Sequence, residues 1–426
     1  MKNSKNCLFG VTLVALFVAT PASVRADAVT DWNAIAVQAT VTAPRPGPSG
    51  FVDIAMVQAA VYDAVQAIEK RSEPYYVEIP GASGSPAAAT AKAAHDVLVD
   101  RFPGQAGSLD TAYQQYLSSQ GLAETDPGVA VGAAAAAGII KLRACDGSFP
   151  QPAPPPFVGG TAPGVWRPTP PANAPMIAPW LGTIMPFTLT RPSQFPAEPP
   201  PALTSRQYAK DYNEVKALGS LNNSSRTPEQ TDMASFWNAN YTVLWNQVLR
   251  EIASTNVRNI SDSARLFALS EMAMADAIIT AWNSKNLYVF WRPITAIREG
   301  ENDGNPRTAG DPSWTSHTAA PPYPDHTSGA NNVSSAVTRA LALFFGKDQM
   351  TFSVTTTNTA PTNQDTRIYS RFSDAAQEVV EARIYEGIHF RFADEAARKQ
   401  GRQVADWAFS NFLRSYRDHG DKDDDD

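Results

Sequence analysis

Apolar residues recur at helical spacing along most of this chain. In Phe51–Lys70 they fall three or four positions apart, as they do on the buried face of an amphipathic helix. The same pattern predicts further helices at Ala87–Phe102, Leu109–Gln120, Pro127–Arg143, Ser205–Leu218, Thr227–Ser254, Ser261–Trp282, Ser328–Phe345, Thr366–Glu386 and Phe392–Tyr416. Only the short run Thr351–Thr357 alternates as a strand does. The pattern therefore predicts an all-α protein.

A proline-rich segment interrupts the helical pattern. Of the 34 prolines, 17 lie between Pro150 and Pro201. Because proline lacks a backbone donor and blocks helix interiors, we expect a long irregular connector over residues 146–204. Trp166 and Phe187 lie within it and are expected to pack on the body. The resulting prediction is two packed helical bundles, residues 27–145 and 205–420, with the connector between them.

Composition and charge limit the classes of protein to which this chain can belong. The chain is 43% hydrophobic and 18% charged, which is typical of a soluble globular enzyme. Its formal net charge is −7, and about −6 remains on the body when residues 1–26 and the acidic tail 421–426 are set aside. An acidic body without a basic patch argues against nucleic acid and anionic membranes as partners.

The N-terminus has the layout of a secretory signal peptide. Lys2 and Lys5 precede an apolar run, Leu8–Ala19, and Val24-Arg25-Ala26 follows as the cleavage site. This order predicts a signal peptide over residues 1–26 and a periplasmic or secreted protein. The run is short for a membrane span, so no stable membrane insertion is expected.

The first stretch with candidate chemistry is Trp282–Ile297. Lys285 and Arg292 stand seven residues apart, which on a continuous helix brings them within about 20° of each other. The residues between them are mostly apolar, and buried cations need a partner. Two cations on one buried face favour a tetrahedral oxyanion, whereas an exposed pair of surface cations is the alternative.

Two further motifs follow. Ser328 and Gly329 open a predicted helix, where free N–H groups, a hydroxyl and the helix dipole favour an anion, although an ordinary Ser cap has the same pattern. Arg383 and His389 would lie about 120° apart on a continuous helix. Gly387 offers a stop between them that lets both side chains turn inward. A lone histidine is more often a satisfied core residue than a ligand.

Taken together, these motifs resemble those of a known family. The order Lys-x6-Arg-Pro, Ser-Gly at a helix start and Arg-x5-His is similar to the signature of the vanadium-dependent haloperoxidase and type 2 phosphatidic acid phosphatase superfamily. The similarity extends from about Ala277 to Ala396. The residues between the motifs resemble the haloperoxidase branch more than the membrane phosphatases.

The resemblance implies a role for each residue. Lys285, Arg292 and Arg383 would neutralise the oxygens of vanadate, or of phosphate in a phosphatase. The Ser328 hydroxyl and the Gly329 N–H would donate to the same oxyanion. His389 would bind vanadium as its axial ligand, or would attack phosphorus as a nucleophile. In the family, the bound vanadium acts as a Lewis acid toward hydrogen peroxide.

One position departs from the family pattern. The family has an acid–base histidine directly after Ser-Gly, whereas this chain has Ala330. A methyl group cannot transfer protons. We hypothesise that His326, four residues earlier, acts as the replacement proton relay and that the adjacent Asp325 orients it. Otherwise His326 only lines the entrance of the site.

Three functions are compatible with these residues. The first is an exported vanadium haloperoxidase-like enzyme that oxidises halide with hydrogen peroxide. The second is an acid phosphatase that hydrolyses a phosphate ester through a phosphohistidine at His389. The third is a non-catalytic phosphate- or vanadate-binding protein, which the alanine at position 330 favours.

Overall fold

The computed structural model describes residues 27–359 and 362–416. The predicted signal peptide and the acidic tail lie outside the described residues. The helices are α1 (Ala28–Thr42), α2 (Gly50–Glu69), α3 (Pro86–Arg101), α4 (Ala106–Ser119), α5 (Pro127–Arg143), α6 (Arg206–Leu218), α7 (Pro228–Trp237), α8 (Tyr241–Asn256), α9 (Ile260–Tyr288), α10 (Pro293–Arg298), α11 (Gly329–Phe344), α12 (Phe372–Tyr385) and α13 (Arg391–Asn411). Strands β1 (Gln349–Thr355) and β2 (Thr366–Arg371) form one antiparallel hairpin. The all-α prediction is confirmed.

Helix α9 is the central element of the fold. One side of it packs against α2, which itself packs on α3 and α5, and another side packs against α11 and α13. Nearly every residue from Leu266 to Trp282 is fully buried, which explains why its apolar pattern runs all round the helix. The helix begins at the Asn259 cap, whose side chain accepts from the backbone of Asp262.

Several predicted boundaries are wrong. The predicted helix Thr227–Ser254 is two helices, because Asn238 ends α7 and the Asn240 side chain caps the start of α8. The first part of predicted helix Thr366–Glu386 is β2, paired with β1. Helix α1 was not predicted at all. It begins at a capping box on Asp27, a position directly after the predicted signal peptide.

The proline-rich connector packs on the body, as the aromatic residues within it predicted. Trp166 is fully buried and Phe187 is nearly so. The buried carboxylate of Asp276, on α9, accepts hydrogen bonds of 2.6 to 3.1 Å from three consecutive backbone N–H groups and from the Thr188 hydroxyl. This side chain therefore fixes the connector against the central helix.

Helix α2 with its preceding turn is long and apolar enough to cross a membrane by length and composition. Most of it, however, is buried by α3, α5 and α9 within the fold. The core helix of a globular bundle has this same composition.

Close packing of α13 on α11 depends on a glycine. A Cβ at Gly401 would overlap the backbone oxygen of Asn332 and lie 3.2 Å from the backbone nitrogen of Ala336. Because backbone atoms cannot move aside locally, the two helices can approach this closely only with glycine here. Ser328 precedes the first turn of α11, so this contact also positions the N-terminal end of that helix.

We predict that Gly401→Ala lowers the free energy of unfolding by about 1–3 kcal/mol, because the added methyl group forces α13 away from α11. Gly107→Ala is the matched control. It lies on α4 with no neighbouring atom within 4 Å, and alanine favours a helix over glycine by about 1 kcal/mol. Urea denaturation of both variants measures the difference. Equal stability of the two variants would contradict this packing account.

Candidate active site

Lys285 and Arg292 do not share a continuous helix, which corrects the sequence prediction. Helix α9 ends at Tyr288, and Val289 has the left-handed φ of 46° that terminates it. The chain then runs extended until Pro293 begins α10, with Arg292 at the N-cap. Both cationic side chains are nevertheless fully buried and point into the same region.

The Lys285 ammonium group is held by a loop that precedes α11. Its Nζ donates to the backbone oxygens of Pro324 at 2.6 Å and Asp325 at 3.0 Å. It also lies 4.9 Å from the centre of the Tyr323 ring, a cation–π contact. Burial and the nearby Arg292 guanidinium lower the pKa of Lys285 well below its usual value.

The Arg292 guanidinium is held by the same loop and by the turn before α13. Its Nε donates to the Tyr323 oxygen at 2.8 Å, and Nη1 donates to the Ile388 oxygen at 2.6 Å. Nη1 also lies 3.1 Å from Nε2 of His389. The remaining nitrogen, Nη2, is buried and has no hydrogen-bond partner among the described residues.

Arg383 reaches the site from the last turn of α12. Its Nη1 donates to both carboxylate oxygens of Glu386, each at 2.8 Å. Burial lowers the pKa of Arg383 and the Glu386 carboxylate raises it, and the effect of the carboxylate prevails. The Nε of Arg383 is buried and has no partner among the described residues. Arg383 therefore stays charged, and its Nε–H group is available to donate to a bound anion.

Gly387 makes the turn between Arg383 and His389 possible, as the sequence predicted. Its φ is +78°, and a Cβ there would overlap the backbone oxygen of Gly219. Helix α12 ends at Tyr385 and α13 begins at Arg391, so His389 lies in the turn between the two helices.

Ser328 is the N-cap of α11, but its side chain makes no capping hydrogen bond. Its hydroxyl instead accepts at 3.3 Å from Asn331, which also donates to Asp394 at 2.8 Å. Gly329 is the first residue of the helix, so its N–H has no acceptor within the helix. The alternative of an ordinary Ser cap therefore does not describe this residue.

His389 is a buried, neutral imidazole. Burial lowers its pKa well below the usual value, and the cations of Arg292, Lys285 and Arg383 lower it further. Its Nδ1 lies 2.8 Å from Oδ1 of Asp325. The pKa of Asp325 is raised to about 7 because burial outweighs the attraction of Arg292 and Lys285.

These residues form one cluster, which we call the cage and define as Lys285, Arg292, Ser328, Gly329, Arg383 and His389. Arg383 is close enough to lower the pKa of both Lys285 and Arg292, and all three cations act on His389. Two buried guanidinium nitrogens have no acceptor among the described residues. Buried donors without acceptors are costly. This donor set fits a tetrahedral oxyanion such as vanadate or phosphate.

A cavity of about 290 Å³ leads to the cage, and we call it the site cavity. Its wall includes Trp282, Tyr323, Gly329, Ala330 and Arg383. Ala330 therefore lies where a ligand would approach the cage, and its methyl group offers no proton.

His326 opens onto a different cavity. Its ring lines a space of about 570 Å³ that Glu198, Arg391 and Lys399 also border. Its Nε2 lies 2.8 Å from the Glu198 backbone oxygen, and burial lowers its pKa to about 4. A histidine at position 330 would face the site cavity, because Ala330 lines it. His326 lines the other cavity and does not face this approach to the cage. Its role as a proton relay stays a prediction.

Sequence reasoning did not predict the contacts of two acidic residues beside the cage. It assigned Asp325 to His326, but the structure places this carboxylate against His389. Asp394 is buried next to Ser328 and Asn331, and its pKa is raised well above its usual value by burial and by Asp325. No periodicity or spacing signals these acids, because they reach the cage through loop turns and across helices.

Known proteins share this motif region. Residues 265–418 match the family model of the VCPO second helical-bundle domain, which spans every residue of the cage. Vanadium chloroperoxidase of Curvularia inaequalis is 27% identical over 287 residues, which are 52% of this chain and 46% of that protein. The chain therefore spans about half the length of the curated relative it matches.

Solved structures share the fold. A bacterial vanadium-dependent iodoperoxidase superposes with a TM-score of 0.76 at 24% identity, over 91% of this chain and 96% of that one. The holo form of a bacterial vanadium-dependent chloroperoxidase gives 0.71 at 17% identity, over 87% and 93%. With the family model and the curated relative, this agreement confirms the resemblance that the motifs indicated: the motif region is similar to the vanadium haloperoxidase superfamily, and the chain shares the fold of these solved structures.

Proposed function

We propose that this protein is a haloperoxidase that holds vanadate in the cage and oxidises halide with hydrogen peroxide. The observation that carries the proposal is the set of three buried cations, two of them with unpaired N–H groups, around a neutral histidine. Such a set favours a small, multiply charged oxyanion and disfavours a neutral ligand.

Each cage residue has a definite task in this proposal. Lys285, Arg292 and Arg383 neutralise the vanadate oxygens, and the Ser328 hydroxyl and the Gly329 N–H donate to them. His389 would supply the imidazole nitrogen that binds vanadium. Vanadate bound there would supply a Lewis acid that polarises hydrogen peroxide.

The neutral state of His389 supports this role. A protonated imidazole has no lone pair to offer, whereas the buried ring remains unprotonated at neutral pH because its pKa is lowered. The surrounding cations therefore both attract the anion and keep the histidine ready to bind it.

The site cavity supports small, anionic substrates. Trp282, Phe51 and Ile278 give one part of its wall an aromatic and apolar surface, polar groups such as Asn240 border another part, and Arg383 contributes a positive charge. This charge attracts an entering halide. Hydrogen peroxide is also small enough for a cavity of about 290 Å³.

Ala330 favours a second candidate, a protein that binds phosphate or vanadate without turnover. The acid–base group expected at this position is absent, and such groups typically contribute about 10²–10⁴-fold to rate. The same absence weakens the acid phosphatase alternative, because a leaving alkoxide at the site cavity needs a proton.

Two assays on the purified protein separate these functions. We expect bromination of phenol red when vanadate, bromide and hydrogen peroxide are present, and we expect His389→Ala to abolish it. Hydrolysis of p-nitrophenyl phosphate that vanadate inhibits would instead establish the phosphatase. Binding of orthophosphate and vanadate without either activity would establish the non-catalytic protein.

We predict that Ala330→His raises the bromination rate by about a hundredfold, since it places a proton-transfer group on the wall of the site cavity. Ala330→Leu is the control, because it fills similar space without a titratable group. Steady-state rates with saturating vanadate measure the effect. A similar rate for both variants would show that the missing histidine does not limit turnover.

A further inference from the structure

The carboxylate of Asp325 is buried against the proposed vanadium ligand. Both side chains are almost fully buried, and Oδ1 of Asp325 lies 2.8 Å from Nδ1 of His389. The backbone of Asp325 is fixed at the same time, because its N–H donates to Phe290 and its carbonyl oxygen accepts from Lys285. Both backbone groups of Asp325 are therefore hydrogen-bonded, which fixes the position of its carboxylate.

Contacts of the imidazole determine which nitrogen carries the proton. Nη1 of Arg292 lies 3.1 Å from Nε2 of His389 and 3.5 Å from Nδ1. Because Nη1 is almost equally far from both nitrogens, this contact lies beside the ring and does not select between them. An ionised carboxylate only accepts, so Nδ1, which lies 2.8 Å from Asp325, carries the proton of the neutral imidazole and Nε2 keeps the lone pair.

We propose that Asp325 is a positioning residue that accepts the Nδ1–H of His389 and so directs the Nε2 lone pair toward the oxyanion. At 2.8 Å the carboxylate oxygen is close enough to accept, but the angle at the N–H group is not that of a hydrogen bond, so the ring has to rotate to align the two groups. This inference rests on the proposed function only for the identity of the anion.

The effect on the two anions should differ. Vanadate accepts a bond from Nε2, whereas orthophosphate in the cage is held only by charge and hydrogen bonds. Loss of the partner that orients a metal-binding histidine typically lowers metal affinity about 10–100-fold. Removal of a carboxylate also makes the cage more positive, which favours both anions equally.

The first test is the tautomer of His389 in the ligand-free wild-type protein, measured by NMR on protein with ¹⁵N-labelled histidine. The signal is assigned by its absence in His389→Gln. We expect the proton on Nδ1 and a lone pair on Nε2, and a proton on Nε2 would overturn the proposal. This result does not depend on any enzymatic activity.

The second test is calorimetric titration of vanadate and orthophosphate without peroxide. We expect Asp325→Ala to lower the ratio of vanadate to phosphate affinity about tenfold or more. Asp325→Asn should restore most of the ratio, because its amide oxygen still accepts from Nδ1. An unchanged ratio in Asp325→Ala, or a ratio equally low in Asp325→Asn, would overturn the proposal.

Asp394→Asn is the matched control, because Asp394 is a buried acid that contacts Ser328 and Asn331 and not His389. We expect it to change the affinities for both anions by the same factor. If Asp325→Ala does not fold, the tautomer of His389 in the wild-type protein and the ratio of anion affinities in Asp325→Asn still test the proposal. A wild-type protein that carries the Nδ1 proton but has no preference for vanadate would refute the proposed function and leave the positioning role intact.

Discussion

Burial of three cations around one neutral histidine is the constraint on which the rest of this structure depends. Lys285, Arg292 and Arg383 are removed from water, and only Arg383 has a bidentate carboxylate partner. Backbone oxygens of the loop before α11 hold the other two cations. This arrangement is costly without an anion, because burial disfavours each charge. The fold maintains it by fixing every element that contributes a cation.

Breaks in the helices position these side chains in the cage. Helix α9 has to stop at Tyr288 so that the chain can turn and present Arg292 from the N-cap of α10. Gly387 similarly separates Arg383 from His389. On a continuous helix Lys285 and Arg292 would share a face but lie about 10 Å apart along the axis, and Arg383 and His389 would lie on different faces. The residues that end helices are thus as important to the site as the residues that bind.

The sequence predicted the fold class, the connector and the members of the cage, because helical periodicity, proline content and motif order are all local signals. It did not predict the path from Lys285 to Arg292, because an apolar run continues the helical pattern through the break at Val289. It also assigned Asp325 to the neighbouring His326, whereas the structure places the carboxylate against His389, 64 positions further along the chain. Contacts between loops depend on backbone turns that periodicity does not encode.

The separation of Ala330 from His326 has the same origin. Four residues apart in sequence, they line two different cavities, because one lies on the first turn of α11 and the other in the preceding loop. A proton relay that is inferred from proximity in the sequence therefore has to be checked against the cavity that each side chain lines.

A crystal structure of the protein soaked in vanadate tests the central claim most directly. The account predicts one anion in the cage, bonded to Nε2 of His389, with hydrogen bonds from Lys285, Arg292 and Arg383. Vanadate bound elsewhere, or a cage that remains closed by the Arg292–His389 contact at saturating vanadate, would contradict it.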